Sequence, residues 1–78
     1  MTVDIISPDA EIFSGEAKYV GVPGIDGSLG ILSNHAPLIT TLNKGEVLLR
    51  LEDGSEQKFP VNGGVLEVLN NKVIILAE

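Results

Sequence analysis

Any catalytic site in this chain would have to be built around His35, because it is the only histidine. Ser33 lies two residues before it and Asp26 lies upstream, so a nucleophile, a base and an orienting acid are present by type. A serine nucleophile also needs a strained turn and an oxyanion hole, and no Gly-x-Ser-x-Gly context surrounds Ser33. The sequence therefore predicts no catalytic residues and a protein that is not an enzyme.

The glycine-rich segment 24–30 is the next candidate for chemistry, as a phosphate-binding loop. It lacks the Gly-Lys-Ser/Thr ending, does not open a helix, and carries Asp26, which would repel phosphate. One histidine without cysteine disfavours zinc, and the segment offers too few oxygen ligands for calcium. We predict no metal and no cofactor. Two interpretations remain: a tight turn between strands, or a protein-contact loop in which the apolar Ile25 meets a partner.

Size and charge narrow the class of protein. A chain of 78 residues predicts one domain over residues 1–78, and three aromatic residues among 44% hydrophobic ones predict an aliphatic core. A net charge of −6 disfavours binding to nucleic acid or to anionic lipid. No export leader and no apolar run near the ~20 residues of a membrane span is present, so we expect a soluble, non-exported chain without direct lipid insertion.

Apolar residues alternate with a period of two, most clearly at Val47, Leu49 and Leu51, which predicts strands. Residues 45–62 are predicted to form a hairpin around a two-residue Asp53-Gly54 turn. Residues 65–76 are predicted to form a second hairpin around Asn70-Asn71, and the two hairpins together suggest a meander. Further strands are predicted at residues 2–6, 11–13, 16–22, 27–31 and 38–42.

The predicted fold class is all-β, because glycine, proline or β-branched residues interrupt every window long enough for a helix. About nine to ten short strands at this spacing favour a small β-sandwich or flattened barrel. Pro60 lacks a backbone donor, which predicts an edge strand or a bulge. Paired Gly63 and Gly64 predict a bulge or a close backbone crossing.

A family resemblance rests on residues 3–8, 13–17, 22–24, 27–38 and 63–68, together with Gly45. The Leu-Gly-Ile-Leu to His-Ala-Pro-Leu segment, residues 29–38, is its most specific part. Over nearly its whole length the chain resembles the epsilon subunit of F-type ATP synthases. It departs from the usual pattern at Ser28, where an acidic residue is common, and at Ser33, where proline is common.

The resemblance implies a β-sandwich that performs no chemistry and belongs to the central rotor stalk. Such a subunit links the gamma subunit to the polar loops of the membrane c-ring, so that ion-driven rotation is coupled to ATP synthesis. It implies that residues Gly24, Ile25, Asp26, Gly27, Ser28 and Leu29 face the c-ring, where Asp26 could pair with a basic residue. It also implies that Ser7, His35 and Thr40 face gamma.

The resemblance further implies a peripheral protein of the F1 sector, on the cytoplasmic side of a bacterial inner membrane. The family usually continues into a C-terminal pair of helices that can inhibit ATP hydrolysis and that binds ATP in some members. Residues 1–78 contain no such helical hairpin, so we expect neither inhibition of that kind nor ATP binding by this chain.

Two alternatives come from other classes of protein. A biotinyl or lipoyl carrier domain has similar size, acidity and strand density, and presents a modified lysine at a hairpin tip. Lys72 lies just past a turn, but its preceding residues, Asn70 and Asn71, do not match the flanks of such a lysine. The second alternative is a stand-alone interaction module without a role in a rotor.

Overall fold

Nine β-strands and no helix make up the computed structural model, which describes all 78 residues. The strands are β1 (Thr2–Ile6), β2 (Glu11–Glu16), β3 (Tyr19–Gly24), β4 (Gly27–Leu32), β5 (Leu38–Leu42), β6 (Gly45–Arg50), β7 (Glu56–Val61), β8 (Gly64–Leu69) and β9 (Lys72–Ala77). The all-β prediction is confirmed, as are all the predicted strands, with shifts of up to three residues at their ends. No element is a helix long and apolar enough to cross a membrane.

The strands form one hydrogen-bonded sheet in the order β2-β1-β9-β8-β5-β3-β6-β7. Both β5 and β6 pair with one edge of β3, at different residues, and β4 pairs with its other edge. Only β1 and β9 are parallel; the other pairs are antiparallel. The sheet curls into two layers around a shared core. We call β2, β1, β9, β8 and β5 the first layer, and β7, β6, β3 and β4 the second layer.

A long bent ladder joins the two layers. Leu42 pairs with Gly64 and Gly45 pairs with Val61, so β5 continues into β6, and β7 into β8, without any change of register. The pairing of β3 with β5 and β6 does change register: Gly24 pairs with Leu42 and Gly21 with Leu48. Three residues along β3 therefore match six residues along the continuous β5–β6 segment. The extra residues form the bend. The predicted meander is therefore wrong, because β8 continues the line of β7 instead of pairing with it.

The core is aliphatic, as predicted, and no aromatic residue is among its 16 buried members. Alternate residues of the central strands supply it, including Val3 and Ile5 of β1 and Leu66 and Val68 of β8, all 2% exposed or less. Phe13 of β2 and Phe59 of β7 are half-buried and pack against each other, with ring centroids 5.7 Å apart. Because β2 and β7 are the two ends of the sheet order, this contact closes the open side of the sandwich.

The turn of the β6–β7 hairpin differs from the predicted two-residue form. Arg50 pairs with Glu56, the Gly54 amide donates to the Leu51 carbonyl, and the Leu51 amide donates to the Ser55 carbonyl. The reversal therefore occupies residues 51–55. A turn of this length, with glycine near its end, is the next common hairpin form after the two-residue turn.

The two proline and glycine predictions for this region are confirmed. Pro60 lies in β7, the edge strand of the second layer, where its missing donor costs no ladder bond to an outer neighbour. Gly64 lies at a close backbone crossing, since a Cβ there would overlap the Leu76 carbonyl oxygen. Its φ is +139°, a backbone angle that residues other than glycine rarely adopt.

The pairing register also sorts the connections into two ends of the molecule. Leu42, Gly64 and Ala77 share one level, and Ser7 follows Ile6 at that same level of β1. We call this the corner end; it carries residues 7–10, 25–26, 43–44, 62–63 and 78. The opposite end carries residue 1 and the connections 17–18, 33–37, 51–55 and 70–71.

Candidate partner-binding surfaces

The residues that resembled a catalytic triad lie far apart. Asp26 precedes β4 at the corner end, whereas Ser33 and His35 follow β4 at the opposite end. The six residues of β4 span about 20 Å at the usual rise of ~3.3 Å per residue. His35 Nδ1 lies 2.7 Å from the carbonyl oxygen of its neighbour Ala36, so its nearest polar contact is local. This arrangement assembles no acyl-transfer site.

The segment predicted to be a glycine loop is mostly strand, because β3 and β4 pair along their whole length down to Gly24 opposite Gly27. Only Ile25 and Asp26 form the turn, and both are exposed, Ile25 by 51%. A Cβ on Gly24 would lie 2.6 Å from the Gly27 carbonyl oxygen, so the two backbones approach too closely for a side chain. The result is a narrow hairpin tip that projects one apolar and one acidic side chain.

The bend of the long ladder fixes this tip to the body of the protein. The Ile25 amide donates to the Thr41 carbonyl at 3.0 Å, and the Asn43 amide donates to the Pro23 carbonyl at 2.8 Å. The Asn43 side-chain amide adds longer contacts to the carbonyls of Gly24 and Ile25, at 3.4 and 3.5 Å. A tip held in this way presents Ile25 and Asp26 in a defined direction, which lowers the entropy lost when a partner binds.

The six residues expected at the c-ring are brought together by the tip, but they are not equally available. Ile25, Asp26, Gly27 and Ser28 are exposed, while Gly24 is buried and the Leu29 side chain packs against the core. The neighbouring connections at the corner end add the acids Asp9 and Glu78 and a single base, Lys44. The connections of the corner end therefore carry three acids and one base.

A second candidate surface is the outer face of the first layer. Val65 of β8, Leu76 of β9 and Ile6 of β1 stand side by side in register and are 39%, 50% and 37% exposed. The exposed Ile39 and Leu69 and the half-buried Ile74 lie on the same outer face, at levels further from the corner end. We call these six residues the apolar face. Contiguous exposed aliphatic side chains on a sheet are typical of a surface that a partner covers.

Polar groups interrupt the apolar face at two places. Glu67 of β8 lies between Ile39 and Ile74 in the pairing register. Asp4 of β1 accepts a hydrogen bond from the Ser14 hydroxyl at 2.7 Å and lies 3.6 Å from the Lys72 ammonium. Both acids leave the row of Val65, Leu76 and Ile6 uninterrupted. The face thus combines an uninterrupted apolar row with one acid, Glu67, that lies among the other aliphatic residues. Protein interfaces likewise contain both apolar and polar groups.

The three residues expected at gamma lie around this layer without forming a cluster. Ser7 begins the corner-end connection of β1 and exchanges backbone and hydroxyl hydrogen bonds with Ala10. His35 is exposed at the opposite end. Thr40 of β5 pairs with the buried Leu66 and is half-buried, so its side chain belongs to the inner set of that strand.

Sequence reasoning missed the apolar face, although β9 carried a signal for it. Residues 73–77 read Val-Ile-Ile-Leu-Ala without alternation, and a continuous apolar strand indicates that both of its faces are covered. In the structure only the inner residues Val73, Ile75 and Ala77 are buried. The outer Leu76 stays half exposed, which leaves that second face available.

Lys72, the residue that a carrier domain would use, does not lie at a tip. It opens β9, pairs with Leu69 on one side and Thr2 on the other, and contacts the Asp4 carboxylate. A lysine modified for carrier chemistry projects from a hairpin turn, so this position does not favour the carrier alternative.

The outer face of the second layer is organised around Tyr19. A Cβ on Gly21 or Gly30 would lie 3.0–3.2 Å from the Tyr19 ring or hydroxyl, so the ring rests on these two glycines. The Arg50 guanidinium lies 5.3 Å from the ring centroid and pairs with Glu56 at 2.9 Å. These contacts tie β3, β4, β6 and β7 together. They assign this face a structural role in the fold.

Comparisons with known proteins identify the fold family. Residues 1–78 match the family described as ATP synthase, Delta/Epsilon chain, beta-sandwich domain. The chain belongs to this family. It is 47% identical over 76 residues to the ATP synthase epsilon chain of Delftia acidovorans, an alignment that covers 97% of this chain and 55% of the relative. The chain thus spans about half the length of that curated relative.

Solved structures agree with this delta/epsilon fold. A chain in the Euglena gracilis mitochondrial ATP synthase, in a structure of OSCP, F1 and the c-ring, superimposes with a TM-score of 0.90 at 21% identity, covering 96% of this chain and 48% of that one. A chain in the central stalk and c-ring structure of the Tetrahymena thermophila enzyme gives a TM-score of 0.83 at 18% identity, covering 97% and 61%. At these identities the likeness establishes the fold.

Proposed function

We propose that this domain is a non-catalytic part of the central stalk of an F-type ATP synthase, where it joins the gamma subunit to the c-ring. The observation that carries the proposal is the family match over residues 1–78. The two candidate surfaces give it a physical form. One is an acidic tip at the turn between β3 and β4, and the other is an exposed apolar face on the first layer.

The apolar face suits the permanent partner, gamma. Its row of Val65, Leu76 and Ile6 exposes aliphatic surface that costs free energy in water, about 25 cal/mol per Å² of apolar area. Covering such a face would also help a domain of this size, whose own core is small. Ser7 at one end of this layer and His35 at the other would then lie on the border of the contact. Gamma would contact Thr40 at the open edge of β5.

The acidic tip suits the c-ring. Ile25 and Asp26 project from a hairpin that the Asn43 contacts hold in place, and Asp26 would pair with a basic residue of a polar ring loop. An ion pair shielded from solvent contributes more than one left exposed. With both contacts made, the domain would transmit torque mechanically between the ring and gamma.

The implied location is the F1 sector, on the cytoplasmic face of a bacterial inner membrane. The bacterial relative supports this part of the proposal. The domain supplies no reacting group to ATP synthesis, and we expect no stoichiometric binding of ATP by the chain. A saturable nucleotide signal in calorimetry would contradict that expectation.

The two contacts can be tested separately in a complex of gamma, the c-ring and the chain. Leu76→Ser removes the middle residue of the row of Val65, Leu76 and Ile6, and we expect gamma affinity to fall roughly tenfold or more, as for a central interface residue. The matched control is Leu48→Ser on the outer face of the second layer, which should bind gamma normally. Equal losses in both variants would reject the apolar face as the gamma contact.

Asp26→Lys tests the tip. We expect weaker co-sedimentation with the c-ring and unchanged gamma binding, because Asp26 lies on the turn between β3 and β4 and is not one of the six residues of the apolar face. Asp9→Lys makes the same charge change elsewhere at the corner end and should have the smaller effect. If Asp26→Lys lowers both affinities together, the assignment of the tip to the ring fails.

A further inference from the structure

The connection between β7 and β8 contains the only Asn-Gly pair in the chain, Asn62-Gly63. Asparagine is a thermolabile residue, because the backbone amide that follows it can attack its side chain. Glycine at the following position removes the Cβ that would hinder the attack and widens the backbone angles available to it. Of the asparagines in this sequence, Asn62 is therefore expected to lose its side-chain amide most readily.

Neither reacting group is hydrogen-bonded within the chain, although Gly63 itself is buried. The Asn62 side chain is exposed and makes no hydrogen bond within the chain, and the Gly63 amide donates to no acceptor in the chain. Of these two residues only Gly63 is held, through its carbonyl, which accepts from the Glu78 amide at 3.1 Å. The nucleophile and the electrophile are adjacent, and neither has to break a bond before reaction.

Other asparagines lie in more protected settings. Asn43 donates its side-chain amide to the carbonyls of Gly24 and Ile25, and the Asn71 side-chain oxygen accepts from the Asn34 amide at 2.8 Å. Asn34 and Asn70 are followed by His35 and Asn71, so a Cβ hinders the attacking amide in both cases. The chain thus carries its own set of internal controls.

We infer that Asn62 is a site of spontaneous deamidation in the folded protein. The Gly63 amide nitrogen gives up its proton to solvent and bonds to Asn62 Cγ, while the Cγ–Nδ2 bond breaks and the nitrogen leaves as ammonia. Water then opens the resulting cyclic imide at either carbonyl, giving aspartate or isoaspartate at position 62. The balance is one water consumed and one ammonia released, without an oxidant or reductant.

The product places a new negative charge at the corner end. The connection that holds Asn62 is bonded to Glu78 through the Gly63 carbonyl, so deamidation would add a carboxylate to an end that already carries Asp9, Asp26 and Glu78. Isoaspartate would also lengthen the backbone between β7 and β8, within the bend of the long ladder. Both changes fall at the end of the protein that carries the acidic tip, so deamidation would alter the charge of that surface with age.

The test is prolonged incubation of the folded chain in mildly alkaline buffer, followed by trypsin digestion and fragmentation mass spectrometry. Peptide 59–72 contains Asn62, Asn70 and Asn71, so their rates are compared within one molecule. We expect Asn62 to lose its amide roughly tenfold faster than either neighbour, because only its attacking amide belongs to glycine. Isoaspartate should be detected by methyltransferase labelling.

Two variants keep the test decisive. Asn62→Gln should remove most of the labelling, and Asn70→Gln, a matched change in the next turn, should leave most of it intact; circular dichroism checks that both are folded. Equal rates at the three asparagines would overturn the inference. So would a native chain that keeps Asn62 intact while the urea-unfolded chain deamidates there, because the folded turn would then protect the residue.

Discussion

Replacing Gly64 with alanine should be the most damaging single methyl addition in this domain. A Cβ at this position would overlap the carbonyl oxygen of Leu76, which is backbone and cannot rotate away. The residue also has a φ of +139°, where a side chain costs about 1–3 kcal/mol by itself. Relieving the overlap requires β8 and β9 to separate where Gly64 pairs with Ala77.

The comparison with Gly27 isolates the overlap from the backbone strain. Gly27 has a similar φ of +129°, but a Cβ there meets nothing within 4 Å. Gly27→Ala should therefore cost only the strain, about 1–3 kcal/mol. Gly64→Ala adds the overlap and should reach about 4 kcal/mol or more, the range reserved for severe backbone or core damage.

Urea unfolding followed by circular dichroism measures both variants. A domain of this length has a total stability of about 4–12 kcal/mol, so Gly64→Ala should be largely unfolded or close to it, while Gly27→Ala stays folded with a lower midpoint. Similar losses in the two variants would refute the reasoning. They would mean either that β8 and β9 separate at Gly64 without a loss of stability, or that the positive φ alone accounts for the destabilisation.

Two further predictions concern the open side and the β6–β7 turn. A double-mutant cycle with Phe13→Leu and Phe59→Leu should give a coupling free energy of about 0.5–1.5 kcal/mol in urea unfolding, because the rings contact each other; additive single effects would show that they do not. Hydrogen bonds from the Ser55 hydroxyl, at 2.6 Å, and from the Ser55 amide, at 2.9 Å, lower the pKa of Asp53 below its ordinary value. A carboxyl with a lowered folded pKa stabilises the fold above its ordinary pKa, and this contribution is lost as the pH falls through the folded value. Ser55→Ala should raise the pKa of Asp53 and reduce that acid sensitivity; an unchanged pKa in a carbon-detected NMR titration would contradict the assignment.

The local parts of the fold could be predicted because period-two alternation and turn residues report on neighbouring residues. The β8–β9 hairpin is an example, since Asn70 and Asn71 both adopt the positive φ that such a turn requires. The bend of the long ladder could not be predicted in this way. Alternation within β7 and within β8 says nothing about whether the two strands pair or lie in one line, which is decided by packing across the core.

One of the two candidate surfaces could be predicted from the sequence and the other could not. The tip at Ile25 and Asp26 was predictable, because an exposed apolar residue among glycines stands out locally. The apolar face was not, because Ile6 of β1 is distant in the sequence from the β8–β9 hairpin that carries Val65 and Leu76. Only their register brings them side by side. The hydrogen bonds between Asn43 and the tip likewise depend on the bend, and no local sequence pattern predicts them.

The most direct test of the proposed role is calorimetric titration of the chain with the gamma subunit of the same source, repeated at several temperatures. We predict one-to-one binding with a negative heat-capacity change, the mark of apolar burial. The heat-capacity change should shrink for Leu76→Ser. Absence of binding by a chain that circular dichroism shows to be folded would contradict the account and favour a stand-alone interaction module.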